Sequence, residues 1–506
     1  MIRVEDLKDL HIARQVAELL DKENARLHAR IDALIKENAT LRGADGQKQL
    51  EIEVLKLQEQ MSALQRKVFG ASSERRPHDD GAEGEKKKPT PPDGVREQKS
   101  LPIEEVTHEL AASERLCKSC GKPLSEHGEP QDAYEDHTVV QRRFVLQRHK
   151  VKHYACACGA TAEAPTPPRL PGCGRYSLDF AIEVAFEKWC THTPLERQVR
   201  IMALEGLDIS SNTLWEQAER LARVLGPTLS ALREYVVTAA MLNADETPWY
   251  MLKKGREKWW VWSICRDDAV YYRVDESRAH NVIVDMLQGF DGVLTVDGYE
   301  AYGAAAKVLA KGGTKIKVAL CWAHARRKFV EASESYPECD EALDLLSELF
   351  LVERDLPAWE NIDDPLMREK QLAHIREVRQ QRSKPIVGKL KAWAEKLRPL
   401  PESKLGQAIT YLSNQWEGLN VFLDEPRAPL SNNRAERELR TVVVGRKNHY
   451  GSKSKRGTEV AALFYSLIET AALCGVDPRA YLRAAAVAAL SGQPPLLPHV
   501  FKRSLG

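Results

Sequence analysis

Three acidic residues carry the strongest chemical signal in the sequence. Asp245 closes the short apolar run AAMLNADET, Asp297 follows the buried-strand pattern GVLTVDGY, and Glu436 lies in SNNRAERELR, where a basic helix begins. Singly, each has an ordinary explanation. Aspartate at a strand end is a common turn former, and Asn433 with Glu436 three residues on has the form of a helix capping box. Together they suit another use, because carboxylate oxygens are the natural ligands of hard divalent cations. From Glu425 to Arg456, nine Lys or Arg stand against three Glu, a local net of +6 in a chain whose total is +1. A carboxylate set among Arg434, Arg437, Arg440, Arg446 and Lys447 suits a metal site that faces a phosphodiester, with the cations meeting the DNA backbone.

Convergence of these residues requires particular elements between them. EKWWVWSICRD and AVYYRVDES read as strands separated by a turn, RAHNVIVDML as a helix, EAYGAAAKVLA as another helix, and KIKVALCW as a strand. The order is then strand, strand, strand, helix, strand, helix, strand. Three antiparallel strands feeding a parallel βαβ extension is the ribonuclease H-like layout, with one carboxylate on strand one and a second at the end of strand four. Asp245 and Asp297 take those places. The third belongs on a helix after strand five, and the charged, leucine-punctuated stretch 331–425 reads as a helical insertion before Glu436. The expected catalytic core is therefore 237–330 with 426–456, followed by a helical region at 457–506. There Gly475 stops one helix and Asp477-Pro478 starts the next. Cys321-x-x-His324, just past strand five, reads as a packed cysteine and a helix-start histidine. Most of Trp249, Trp259, Trp260 and Trp262 belong to the core by strand alternation, with Trp249 near enough to Asp245 to be weighed as a base-stacking residue.

Upstream, the chain is modular. Leu20, Leu27, Leu34 and Leu41 recur every seven residues, and Leu50, Val54, Leu57, Met61, Leu64 and Val68 resume the pattern in a shifted frame, so 1–70 reads as a leucine-zipper coiled coil that makes a homo-oligomer. Residues 71–105 are a disordered linker, dense in both charges and proline and nearly free of apolar residues. Residues 106–170 hold Cys117-x-x-Cys120 and Cys156-x-Cys158 around an alternating basic stretch, the pattern of a zinc-ribbon-like DNA-binding module with those four cysteines as candidate Zn²⁺ ligands. Residues 171–236 are helical with the rhythm of a helix-turn-helix. One helix ends at Gly206 and the next starts near Ser210, exposing Asn212 and Thr213 to DNA.

The bulk composition is compatible with this layout. The 506 residues are 43% hydrophobic and 29% charged, enough for two to four globular domains. A net charge of +1 means that any nucleic-acid contact rests on local clusters. No apolar run approaches the ~20 residues of a membrane span, and the N-terminus lacks a signal-peptide layout. Ten cysteines in so long a chain argue for a reducing cytoplasm rather than a disulfide scaffold.

The ordered set of strings resembles the DDE transposases of bacterial insertion-sequence family sixty-six. It comprises the zipper start, LQRKVFGASSE, the cysteine module with YACACG, ADETPW, VDGYEAY, CWAHARRKF, NNRAERELR with GRKN, and LIETAALCGVDPRAYL. The resemblance covers most of the chain. It implies a DDE triad, carried here by Asp245, Asp297 and Glu436, and small accessory proteins encoded by the same element. The chain departs from that pattern in its CxC pair, in Ser431 where an acidic residue is common, and in a short segment after GRKN.

The expected chemistry is two-metal phosphoryl transfer with Mg²⁺ (or Mn²⁺), cutting DNA at the ends of an insertion sequence and joining the freed 3′-end to target DNA. The rival from another class is a dimeric DNA-binding regulator whose nuclease-like fold is inert. A nuclease that cuts without joining is a second rival, and only a joining assay separates it.

Overall fold

A computed structural model describes residues 144–155, 161–172, 174–252, 258–359, 362 and 364–505. The heptad segment 1–70, the linker 71–105 and the four candidate zinc ligands, Cys117, Cys120, Cys156 and Cys158, lie outside the described residues. Residues 144–147 fall in one unit, 73–147, and Arg148–Gly506 in another. The latter is a mixed α/β structure with far more helix than strand.

It opens with a small antiparallel hairpin, β1 (His153–Ala155) and β2 (Thr161–Glu163). Three helices follow: α1 (Leu178–Trp189), α2 (Leu195–Leu204) and α3 (Ser211–Val236). Ser177 Oγ accepts the N–H of Phe180 and Ser210 Oγ that of Thr213, so α1 and α3 each begin at a serine cap. Between α2 and α3 the chain turns at Gly206, at φ +87°, and tucks in Ile209. The two prospective DNA contacts at this turn differ. Asn212 is exposed, whereas Thr213 is half-buried and its hydroxyl lies 2.9 Å from Ser210 Oγ within the cap.

The five-stranded sheet comprises β3 (Met241–Tyr250), β4 (Lys258–Cys265), β5 (Val270–Asp275), β6 (Gly292–Val296) and β7 (Ile316–Leu320), in the order β5-β4-β3-β6-β7. β3, β4 and β5 are antiparallel neighbours, while β3–β6 and β6–β7 run parallel. The parallel connections pass through α4 (His280–Met286) and α5 (Glu300–Lys311). Parallel strands cannot be joined by a tight turn, and the apolar helical patterns in the sequence supply those crossovers.

Register fixes which side chains share a face. Asp245, Thr247 and Trp249 pair with Ser263, Val261 and Trp259, and Ser263 in turn with Tyr272, whereas Glu246 pairs with Trp262 and Trp262 with Arg273. The second face is covered by α5, whose Tyr302 meets Trp262 edge-on at 6.0 Å. The first is covered by α12 (Asn433–His449), where the Glu438 carbonyl accepts the hydroxyl of Tyr272 at 2.8 Å.

From β7 to α12 the chain is helical, as its pattern predicts: α6 (Trp322–Ser333), α7 (Cys339–Arg354), α8 (Pro365–Val378), a π-turn at Arg379–Ser383, α9 (Lys384–Lys396), α10 (Lys404–Asn414) and α11 (Trp416–Asp424). After α12 come α13 (Lys455–Leu473), α14 (Pro478–Leu490) and α15 (Pro498–Ser504). As the sequence predicts, α13 stops just before Gly475, at φ +71°, and Asp477 caps α14 through the N–H groups of Arg479 and Ala480. Helix α13 also solves the edge problem of β5. Ser466 Oγ accepts the N–H of Tyr272 at 2.9 Å, and Thr470 Oγ1 that of Val270 at 3.1 Å, so hydroxyls take the place of a sixth strand. Among the described residues no single helix is long and apolar enough to cross a membrane.

The α12–α13 seam contains a titrating carboxylate. Burial, reinforced by the nearby charge of Glu438, pushes Glu469 up to about 7, although Thr441 donates to it at 3.3 Å. A folded-state value above the ordinary carboxylate value means that the native state holds this proton more tightly than the unfolded chain. The resulting penalty is absent below about pH 4.5, grows through about pH 7 and is constant above. Glu469→Gln is therefore expected to leave stability unchanged at pH 4.5 and raise it by about 1–3 kcal/mol at pH 8, after allowing for a half-buried site. Thermal melts at the two pH values check this, and an equal difference at both would remove Glu469 as the cause.

Candidate active site

β6 ends at Val296, so β3 pairs with it only from Met241 to Asn243 and then runs on to Tyr250 beside β4 alone. Asp245 is thus a mid-strand residue rather than the strand-end residue suggested by its apolar run. The overshoot also accommodates Pro248, which has no N–H to give to the edge vacated by β6. Asp245 Oδ1 accepts the N–H of Glu246 at 2.8 Å, and Ser263 Oγ donates to the Asp245 carbonyl at 3.1 Å.

Asp297 leaves the tip of β6. Its Oδ1 accepts the N–H of Tyr299 at 2.9 Å, and its carbonyl accepts the hydroxyl of Tyr411, from α10, at 2.9 Å. Gly298 has φ +104°, and a Cβ there would lie 2.9 Å from the Tyr411 hydroxyl. Glycine is required on both counts. A helix of the expected insertion therefore reaches the loop that carries the second aspartate.

Glu436 stands in the first turn of α12, as expected, but the capping box with Asn433 does not form. The N-cap is Asn432, and its side chain is committed elsewhere. Asn432 is completely buried. Its Nδ2 donates to the Ala244 carbonyl at 2.8 Å, its Oδ1 accepts from Asn243 Nδ2 at 2.9 Å, and its N–H donates to Cys321 Sγ at 3.1 Å. One amide thus ties β3 beside Asp245, the end of β7 and the start of the Glu436 helix. Buried polar groups with all partners in place fix geometry because any displacement leaves them unpaired. Sequence reading missed this clamp, although a doubled Asn ahead of a predicted helix is a visible signal for one.

The Cys321-x-x-His324 pair divides its work. Cys321 is buried and receives Asn432, while His324 Nε2 lies 3.6 Å from Glu436 Oε1, with Arg327 Nη2 at 4.0 Å. Burial holds His324 below its ordinary range, partly offset by the Glu436 carboxylate. Glu436 Oε1 itself is buried and makes no hydrogen bond among the described residues.

The charges of the other two carboxylates reach Asp245. Asp245 is pushed up to about 8, first by burial, then by the charges of Asp297 and Glu246, with a smaller contribution from Glu436. Glu246, which sequence reading passed over, belongs to the opposite face. Its side chain is 1% exposed and accepts from Arg278 at 2.6 Å and from the Tyr302 hydroxyl at 2.6 Å.

The basic residues of α12 separate into two groups. Arg437, Arg440 and Lys447 are exposed. Arg434 is half-buried with its Nη1 enclosed and unpaired among the described residues, and Arg446 turns inward, donating to Thr247 Oγ1 and the Pro248 carbonyl. Arg446 therefore braces the overshooting end of β3. Trp249 is also a core residue, 1% exposed with its indole N–H on Ser452 Oγ at 3.2 Å, which excludes base stacking.

Among the described residues, no three His, Cys, Asp or Glu side chains are arranged to hold a metal ion directly. The local chemistry nonetheless fits divalent cations. The donors are all oxygens, their charges raise the proton affinity of Asp245, and one buried oxygen of Glu436 lacks a hydrogen bond. Mg²⁺ is typically held by one or two carboxylates, with waters and substrate phosphates filling the remaining positions.

Residues 174–460, which include the sheet and all three carboxylates, match the family model described as Transposase IS66 family. Uncharacterized protein y4jD of Sinorhizobium fredii is 32% identical over 403 residues, covering 76% of each chain. Uncharacterized protein y4hP of the same organism is 31% identical over 454 residues, covering 83% of this chain and 77% of that one. With its sheet, its three candidate carboxylates and more than half its length inside the match, the chain belongs to the IS66 transposase family.

Proposed function

We propose that the protein is a DDE transposase that cuts DNA at the ends of an insertion sequence and joins the freed strand to target DNA. The observation that carries this reading is that the charges of Asp297 and Glu436, which arrive from two other elements, both reach buried Asp245. The strand order and directions support reading 237–330 with 426–456 as a ribonuclease H-like core interrupted by the helices of 331–425. Asp245, Asp297 and Glu436 would hold two Mg²⁺ ions, which when bound supply Lewis acidity and a nucleophilic water at neutral pH. Everything else is the work of the chain. Asn432 sets the approach of α12 to β3, Tyr299 fixes Asp297, His324 stands against Glu436, and Arg437, Arg440 and Lys447 meet the DNA backbone. The segment 1–70 would bring two copies together, and the cysteine module with Asn212 would contact the element's ends.

The test is cleavage and joining of a labelled DNA carrying the host element's end, with Mg²⁺ and any accessory proteins of the element, for wild type and Glu436→Gln. The variant keeps size while removing charge. It is expected to bind DNA normally and to react at least about a hundredfold more slowly. Equal activity would return Glu436 to a purely structural role. DNA binding without reaction by either protein would favour the inert regulator.

A further inference from the structure

We propose that Tyr299, Arg278, Trp260 and Lys258 form a stacked track that runs from the Asp297 loop along the Glu246 face of the sheet and grips an unpaired DNA strand in preference to duplex. This rests on, and sharpens, the reading of the site as one that acts on DNA.

The track begins at the Asp297 loop. The backbone N–H of Tyr299 is held by Asp297, and the Tyr299 hydroxyl donates to the Arg278 carbonyl at 3.0 Å. The Arg278 guanidinium lies between two rings, 4.0 Å from the Tyr299 centroid and 4.3 Å from that of Trp260. Lys258 Nζ lies 4.5 Å from the Trp260 centroid. Trp260 pairs with Pro248, three residues beyond Asp245, so it stands beside the overshooting half of β3, on the face that carries Glu246 rather than Asp245. That is roughly 10 Å along the strand from Asp245.

An ion pair alone does not account for this arrangement. Arg278 Nε and Nη2 both donate to Glu246 Oε1, while Glu246 is buried and its other oxygen is taken by Tyr302. Arg278 itself is 41% exposed, and its Nη1 makes no hydrogen bond among the described residues. Two rings and one carboxylate thus hold a planar fork with one edge presented to solvent. Little side-chain entropy remains to be lost when that edge meets a phosphate. Alternating cations and aromatic faces are the chemistry of single-strand binding, in which phosphates meet the cations and bases stack on the rings. Duplex keeps its bases stacked on one another and would offer this surface only its backbone. Trp260 and Tyr299 are half-buried, which leaves part of each ring available.

The probe is a labelled thymidine oligonucleotide of about a dozen residues, compared with a random duplex of the same length. Both are bound to the full chain by fluorescence anisotropy without divalent metal. Trp260→Ala and Lys258→Ala carry the test, because Arg278→Ala would also strand Glu246. The expected result is that Trp260→Ala weakens single-strand binding about tenfold and Lys258→Ala severalfold. Duplex affinity should stay within about twofold and the melting temperature should not change. Single-strand binding that survives Trp260→Ala overturns the track. Equal losses for both probes overturn it too, since they show a general surface effect. If wild type binds neither probe, the DNA reading itself falls and takes the track with it. If the track behaves as expected while Glu436→Gln joins DNA normally, the triad is wrong and the track stands.

Discussion

Asp245→Asn is expected to abolish strand joining while making the metal-free protein more stable. The loss follows from the proposed role of Asp245 as a charged metal ligand. Lewis-acid stabilisation of a phosphoryl transition state is worth several kcal/mol, so at least about a thousandfold in rate is at stake. The gain follows from the pKa. Asp245 is held at about 8 in the folded chain, chiefly by burial and then by the charges of Asp297 and Glu246. Its ionisation therefore opposes folding, by an amount that grows from about pH 4 and levels off above about pH 8. Asparagine cannot ionise, and its amide oxygen can still accept the N–H of Glu246 that Asp245 now receives. A half-buried site returns part of the cost to water, which leaves an expected gain of about 1–4 kcal/mol at pH 8 and none near pH 4. Mg²⁺ should raise the melting temperature of wild type and have little effect on the variant, because only ligands that bind the native state stabilise it. A variant that joins DNA normally would take Asp245 out of the chemistry. One that loses stability at pH 8 would contradict the buried-charge account. Here stability and activity pull in opposite directions at a single residue, as expected where a site concentrates like charges.

Much of this arrangement is readable in the sequence, for identifiable physical reasons. Apolar runs such as GVLTV and KVAL are bounded by turn residues and are too short for helices, so β6 and β7 and the carboxylate after β6 could be located. Asn433 with Glu436 three residues on has the form of a capping box, which puts Glu436 in a first helical turn. What failed depends on contacts distant in sequence. That β3 runs past Asp245 depends on where β6 stops, some fifty residues later, and local pattern cannot report that. Arg446 resembles its exposed neighbours in type but is claimed by the Pro248 carbonyl, 198 residues away. Asn432 rather than Asn433 caps α12 because its amide bonds with Ala244 and Asn243 across the sheet. Ser466 and Thr470 gave no sign, within an apolar helix, that they would cap an edge strand. Propensity and periodicity placed the elements, while polar contacts across the fold decided which face each residue serves.

Arg379→Ala should be the most destabilising single substitution in the helical segment between β7 and α12. Arg379 is 3% exposed and sits at the π-turn between α8 and α9. Its Nε and Nη2 donate to both carboxylate oxygens of Glu353 on α7 at 2.8 and 2.7 Å. Its Nη1 donates to the carbonyls of Phe422, Glu425 and Pro426 at 2.9, 3.3 and 3.2 Å, and the guanidinium lies over the Phe422 ring. Removing it leaves a largely buried carboxylate and three carbonyls without their donor. Breaking one side of a buried ion pair typically costs about 3–5 kcal/mol. For a chain of this size that corresponds to a fall of about 3–5 °C in melting temperature. The consequence should reach the site, because residues 422–426 are where the chain leaves α11 on its way to Asn432 and Glu436. Arg379→Ala is therefore expected to lower joining activity even at temperatures where it remains folded, through a loosened approach of α12 to β3. Adding Glu353→Leu to the Arg379→Ala variant should recover part of the stability, since it removes the stranded charge, but not the carbonyl contacts or the activity. A single variant that melts within about 2 °C of wild type would show that the buried guanidinium does not pin this segment. A double variant no more stable than the single one would assign the cost to the three carbonyls rather than to Glu353.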